Sequence, residues 1–157
     1  MKTRFSSRAL ALGALVALAT PFVPTLGSRP ALAHEAPCPY CNMTVSDATA
    51  AVIRAGRKRV EYKCVYCALA EAKTEYKDDL TVYAPSEKKG QPVVLKRAGG
   101  RWSAQPATAT FVSPEKIKHK VCQAQARAFT TKAAAQVFAK SNGGMVMNLA
   151  GMNAMVK

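Results

Sequence analysis

Acidic residues are scarce in this chain: nine Asp and Glu stand against 23 Lys and Arg. None of the nine falls in the first 33 residues, which hold four of the basic ones, Lys2, Arg4, Arg8 and Arg29. The remaining 124 residues, His34 to Lys157, carry 19 basic and nine acidic groups, a net charge of +10. That is one domain's worth of chain, long enough for a real core. Histidine is rarer still, with two in 157 residues, too few for a histidine-based catalytic metal site. No Ser/His/Asp grouping and no phosphate-cradling glycine loop is evident. These absences point to a binder and away from an enzyme. No apolar run reaches membrane-spanning length: the longest candidate, Ala9 to Ala19, is eleven residues.

What is present at the start reads as a secretory signal. Met1 to Arg8 is basic, Ala9 to Ala19 is small and apolar, and Ala31-Leu32-Ala33 is a small-x-small cleavage site. No Leu-small-small-Cys lipidation box precedes Cys38, where the residues are Glu35-Ala36-Pro37. The expectation is an exported, periplasmic protein without a lipid anchor: residues 1–33 signal, residues 34–157 the working domain.

In the exported part, Thr49 to Ala55 and Arg59 to Lys63 read as a hairpin turning on a basic loop. From Cys64 the period changes. Val65, Ala68, Leu69 and Ala72 form one helical stripe running to about Tyr76, and Leu80 to Ala84 is a strand. Val93 to Arg97 is a short strand, Thr108 to Val112 a clearer one, and Cys122 to Phe129 another. A helix over Thr131 to Ser141, capped by Thr130 or Thr131 and facing Ala134, Val137 and Phe138 inward, ends at Gly143-Gly144. Met145 to Leu149 closes with a strand whose Met145, Met147 and Leu149 share a face. Both halves, about 38–84 and 93–149, read β-β-α-β, too small to stand alone. The expected fold is α+β: two packed β-β-α-β units with one helix each on antiparallel strands.

The chemistry lies in sulfur. Four of the five cysteines form two C-x-x-C pairs, Cys38/Cys41 and Cys64/Cys67, and Met43 follows the first. Structural Zn(II) needs four tetrahedral ligands, which two pairs can supply, although 22 intervening residues slightly exceed the usual spacing. Disulfides suit an oxidising compartment and leave Cys122 odd. Cu(I) wants soft donors in low coordination number, and only this reading also uses Met43. Cys64 and Cys67 fall in a predicted first helical turn, where the positive end of the helix favours thiolate. Cys122 offers a further soft donor. The late Met145, Met147, Met152 and Met155 read first as core filling, and second as a loading face for copper. His34 reads as a cleavage remnant and His119 as part of a solvated basic face.

The segment CPYCNMTV, residues 38–45, resembles the NosL-type copper chaperones, accessory proteins of nitrous oxide reductase assembly. Cys38, Cys41, Met43 and Val45 match that family's opening Cys-x-x-Cys-Gly-Met-x-Val, with Asn42 in place of the glycine. The resemblance extends to FVSPEKIKHKVCQAQARAF and AAAQVFAKSNGGMV, where Cys122 replaces the family's methionine. It implies export, two β-β-α-β units, and Cys38, Cys41 and Met43 as ligands.

The expected function is therefore a Cu(I)-binding protein. It would hold the ion with Cys38, Cys41 and Met43, assisted by Cys64, Cys67 or Cys122, and deliver it to a copper-accepting enzyme or its assembly proteins. The alternatives are a thiol-disulfide oxidoreductase using one C-x-x-C pair and a zinc-stabilised binding module. The basic surface, including Arg54, Arg57, Lys58 and Arg59, would meet an acidic partner or an anionic membrane surface; export argues against nucleic acid.

Overall fold

The computed structural model describes residues 36–46, 48–114 and 125–156. All of these lie in one compact unit, Ala33–Lys157. The leader, His34, His119 and Cys122 lie outside the described residues.

The strands follow β-branched and alternating segments, as expected. β1 (Ala51–Ala55) and β2 (Lys58–Tyr62) form the hairpin, turning at Gly56, whose φ of 56° suits a residue without a Cβ. β3 (Leu80–Ala84), β4 (Val93–Ala98) and β5 (Arg101–Gln105) complete an antiparallel sheet in the order β2-β1-β3-β4-β5. Period-two alternation sends Ile53, Val82 and Leu95 to one face, where all are buried. β5 is the strand the sequence hid: RWSAQ contributes only the half-buried Trp102 and Ala104 to that face.

Helix α1 (Val65–Thr74) covers the apolar face. Its alanines, Leu69, Glu71 and Lys73 are good helix formers. The expected stripe of Val65, Ala68, Leu69 and Ala72 is buried, but so are Tyr66, Cys67 and Ala70. The helix is enclosed on more than one side. Its carboxyl end is held by Arg97, which donates to the carbonyls of Ala72, Tyr76 and Asp78 at 2.5, 2.7 and 2.6 Å. Three charge-assisted bonds there satisfy carbonyls that have no partner within the helix.

The second sheet is β7-β6-β8, from β6 (Thr110–Ser113), β7 (Arg127–Phe129) and β8 (Met145–Met147). Helix α2 (Lys132–Asn142) packs on one face, where Val112, Phe129 and Ala135 make a small separate cluster. Phe111, Ala128 and Met147 on the other face join the main core. That shared core is why neither half needs to fold alone. Thr131 caps α2, its Oγ1 accepting from the Ala134 N–H at 3.2 Å. Gly144, at φ 108°, passes so near β6 that a Cβ would come within 2.2 Å of the Ser113 carbonyl.

The fold class is as read, α+β with two antiparallel sheets, and three details differ. Val137 does not face inward but is 66% exposed on α2. The closing strand stops at Met147, because Asn148 caps a third helix, α3 (Leu149–Met155), accepting from the Gly151 N–H at 2.9 Å. Leu149 therefore leaves the strand face. Met147 and Met152 are buried in the core whereas Met145 is exposed. Lys73 of α1 donates to the carbonyls of Asn153 and Val156, tying the end of the described chain to the first helix. Among the described residues no helix is long and apolar enough to cross a membrane.

Candidate metal centre

The first C-x-x-C pair sits on a tight turn. Pro37 bridges Thr44, the Cys38 N–H donates to the Met43 carbonyl at 2.9 Å, and the Asn42 N–H donates to the Cys38 carbonyl at 2.8 Å. Asn42 closes the turn at φ 55°, a left-handed conformation that glycine takes freely and asparagine tolerates. The asparagine thus fits the turn that a glycine would make. Folding this way buries Cys38 and Cys41 and leaves Met43 40% exposed. Tyr40 packs edge-on against Tyr66 of α1, ring centres 6.2 Å apart, over the same region.

The second pair belongs to the start of α1. Cys64 is the N-cap residue in extended conformation and makes no side-chain cap bond, and Cys67 lies in the first turn. Lys63 joins the two segments: its Nζ donates to the Thr44 carbonyl at 2.7 Å, and its backbone N–H donates to the Cys38 sulfur.

The result is a triangle of buried thiols. The sulfurs of Cys38, Cys41 and Cys67 all lie within 4.8 Å of one another. The Cys64 thiol donates to the Cys67 sulfur at 3.7 Å. None of the four is in a disulfide. The Cys67 thiol in turn donates to Cys38, and with the N–H groups of Lys63, Cys41 and Tyr40 it draws the Cys38 pKa down to about 5 against the opposing effect of burial. Cys38 is a thiolate at neutral pH. Burial pushes Cys41 up to about 11; the Met43 N–H opposes this, while the bond to Cys38 and its charge add to it. One preformed anion with a neighbouring protonated thiol is a low-charge resting state for a buried site. Arg127 of β7 reaches the same region, its guanidinium donating to the Ala48 carbonyl at 2.9 Å. Burial lowers its pKa and the nearby Cys64 raises it.

This cluster could hold a metal ion. Metal–sulfur bonds of about 2.3 Å place three trigonal sulfurs about 4 Å apart, within the observed limit. Among the described residues three thiols converge mutually, a donor set suited to soft ions of low coordination number. Of the residues expected to bind metal, Cys38, Cys41 and Cys67 come together, Cys64 adjoins them through Cys67, and Met43 shares the turn. Sequence reasoning missed Lys63, Tyr40, Tyr66 and Arg127. Lys63 could have been noticed beside Cys64; nothing local marks Arg127, 63 residues further on.

No family model and no curated protein matches the chain. Among solved structures the fold is similar to that of the mercury-bound form of MerB2, with a TM-score of 0.53 and 11% identity. The alignment covers 78% of this chain and 66% of that one, just under two thirds of its length. This likeness corrects the expectation that the chain is not an enzyme. MerB2 is an enzyme, so this fold is one on which catalysis occurs. The lack of a Ser/His/Asp grouping is no ground for exclusion either, because a thiolate is itself a nucleophile.

Proposed function

We propose that this protein binds Cu(I) in the Cys38–Cys41–Cys67 triangle and passes it to a copper-accepting enzyme or its assembly proteins, nitrous oxide reductase being the recipient implied by the resemblance of CPYCNMTV to NosL-type chaperones. The observation that carries the proposal is the convergence of three buried thiols from two separate segments. A soft monovalent ion in a three-sulfur site keeps room for an incoming donor, so transfer can proceed by exchange of one ligand at a time. The exposed Met43 thioether, on the same turn as two of the thiols, would be a first soft donor for an arriving ion. The signal-like leader supports a periplasmic setting for this activity.

Reduced protein titrated with Cu(I) against a competing chelator tests the reading. One equivalent should be retained, and retention should be lost in Cys67→Ala. A Met43→Leu variant should slow exchange while leaving most of the affinity. Tight retention of Zn(II) with weak uptake of Cu(I) would instead make the cluster a structural zinc site. Turnover of insulin disulfides would make it a thiol-disulfide oxidoreductase. The fold shared with mercury-bound MerB2 favours a second reading, Hg(II) as the ion that the thiols take. Parallel titration with Hg(II) separates the two by which ion displaces the other at equal chelator strength.

A further inference from the structure

We propose that the outer face of the five-stranded sheet is a docking surface for anionic phospholipid headgroups. This inference does not depend on which ion the thiols hold.

The alternation that sends Ile53, Val82 and Leu95 towards α1 sends Arg54, Thr81 and Lys96 the other way. Strand register then sets Arg59, Arg54, Thr81 and Lys96 in a single row across four strands. At a strand spacing of about 4.8 Å the row is roughly 15 Å long. Arg54 and Arg59 stand directly opposite each other. Like charges in that relation destabilise a sheet, and here the fold keeps them. Glu61 meets Arg59 at 2.5 Å, and the Arg54 guanidinium lies over the Tyr83 ring at 5.1 Å, so the repulsion is only partly offset within the protein. Arg101, on the same face of β5, adds a further exposed cation.

Beside the cationic row runs an apolar one. Val52, Tyr83 and Val94 are paired in register and half-buried. A cavity of about 560 Å³ opens there, bounded by Val52 and Tyr83 on the sheet and by Lys88 and Lys89 on the following loop. Cations next to an aromatic and aliphatic strip match the headgroup zone of a bilayer, where phosphates meet arginine and lysine and tyrosine sits at the boundary with hydrocarbon. Arg54, Arg59, Lys96 and Arg101 are all exposed on this face. It also points away from α1, whose N-cap is Cys64 and whose first turn carries Cys67.

The test uses the unit Ala33–Lys157, which carries every described element, with its thermal unfolding checked for each variant. Sedimentation with vesicles of phosphatidylglycerol and phosphatidylcholine is compared with phosphatidylcholine alone. The protein should bind only the anionic vesicles and leave them at about 0.5 M salt, where charge is screened beyond a few ångströms. Arg54→Gln with Lys96→Gln should lower partitioning roughly thirtyfold, from a contribution of about a factor of five for each cation at an anionic surface. Lys132→Gln with Lys140→Gln on α2 removes the same charge elsewhere and should change it by less than about threefold. Equal losses for the two pairs would overturn the proposal, leaving net charge as the cause. So would binding to neutral vesicles that the Arg54/Lys96 pair does not affect. Failure on every vesicle with retention on polyglutamate would overturn it in favour of an acidic protein partner.

Discussion

The two β-β-α-β units are built to one plan and put to different uses. In each, the first strand lies between the second and the last: β2-β1-β3 in one sheet, β7-β6-β8 in the other. Each helix follows its hairpin, yet the helices begin differently. α2 opens on Thr131, whose hydroxyl takes up a first-turn N–H, whereas α1 opens on Cys64 with no side-chain cap. α1 is buried through Val65 to Ala70, while on α2 only Ala135 is fully buried. The difference shows where a repeated frame gains a site. The first unit leaves its helix start without a side-chain oxygen cap and places the Cys64 and Cys67 thiols there, from which Cys67 donates to the Cys38 sulfur of the preceding turn. The second unit keeps the cap and serves as support, contributing Phe111, Ala128 and Met147 to the common core.

The contrast can be broken at several points. The largest effect is expected at the triangle. Cys67→Ala should reduce metal affinity by more than the roughly tenfold to hundredfold that losing an outer partner costs, since it removes a ligand. No substitution on α2 should do so. The same variant removes the main donor to Cys38. In the wild type, ultraviolet thiolate absorption should persist at neutral pH and vanish on acidification with a midpoint near pH 5, as Cys38 takes up its proton. In Cys67→Ala that midpoint should move up towards the ordinary thiol value; an unchanged midpoint would show that the sulfur hydrogen bond does not hold the charge.

Packing should separate the helices next. Leu69→Ala in α1 should cost about 3 kcal/mol in urea unfolding, as expected for a fully buried leucine. Val137→Ala on α2 should stay within about 0.5 kcal/mol. Capping gives the finest comparison. Thr131→Ala should lose about 1 kcal/mol. Cys64→Thr, which gives α1 the cap of α2, should gain up to about 1 kcal/mol while weakening any metal exchange that uses Cys64. A loss of stability there would mean that the bond from the Cys64 thiol to Cys67 outweighs the cap.

Legibility along the chain follows how local the forces are. β1, β2 and β3 were readable because alternation and β-branching act over a few residues, and Thr131 because a cap needs only its own first turn. RWSAQ was not recognised as β5, since its place at the sheet edge comes from pairing with β4 and not from its own apolar content. Met145 to Leu149 was read one element too simply, because Asn148 starts a helix only where α3 can set Met152 into the core. The opposite exposures of Val137 and Leu69 depend on what each helix packs against. Helical periodicity alone could not separate them.

For the site, composition and spacing along the chain were enough to name candidate donors: two C-x-x-C pairs with a methionine beside the first offer soft sulfur ligands wherever they end up. Only the folded molecule selects Cys38, Cys41 and Cys67 as a mutual set, ionises the first and places Lys63 between the segments. Donor softness belongs to the side chain, whereas distance, burial and the hydrogen bonds that shift a thiol's pKa come from residues that meet across the fold.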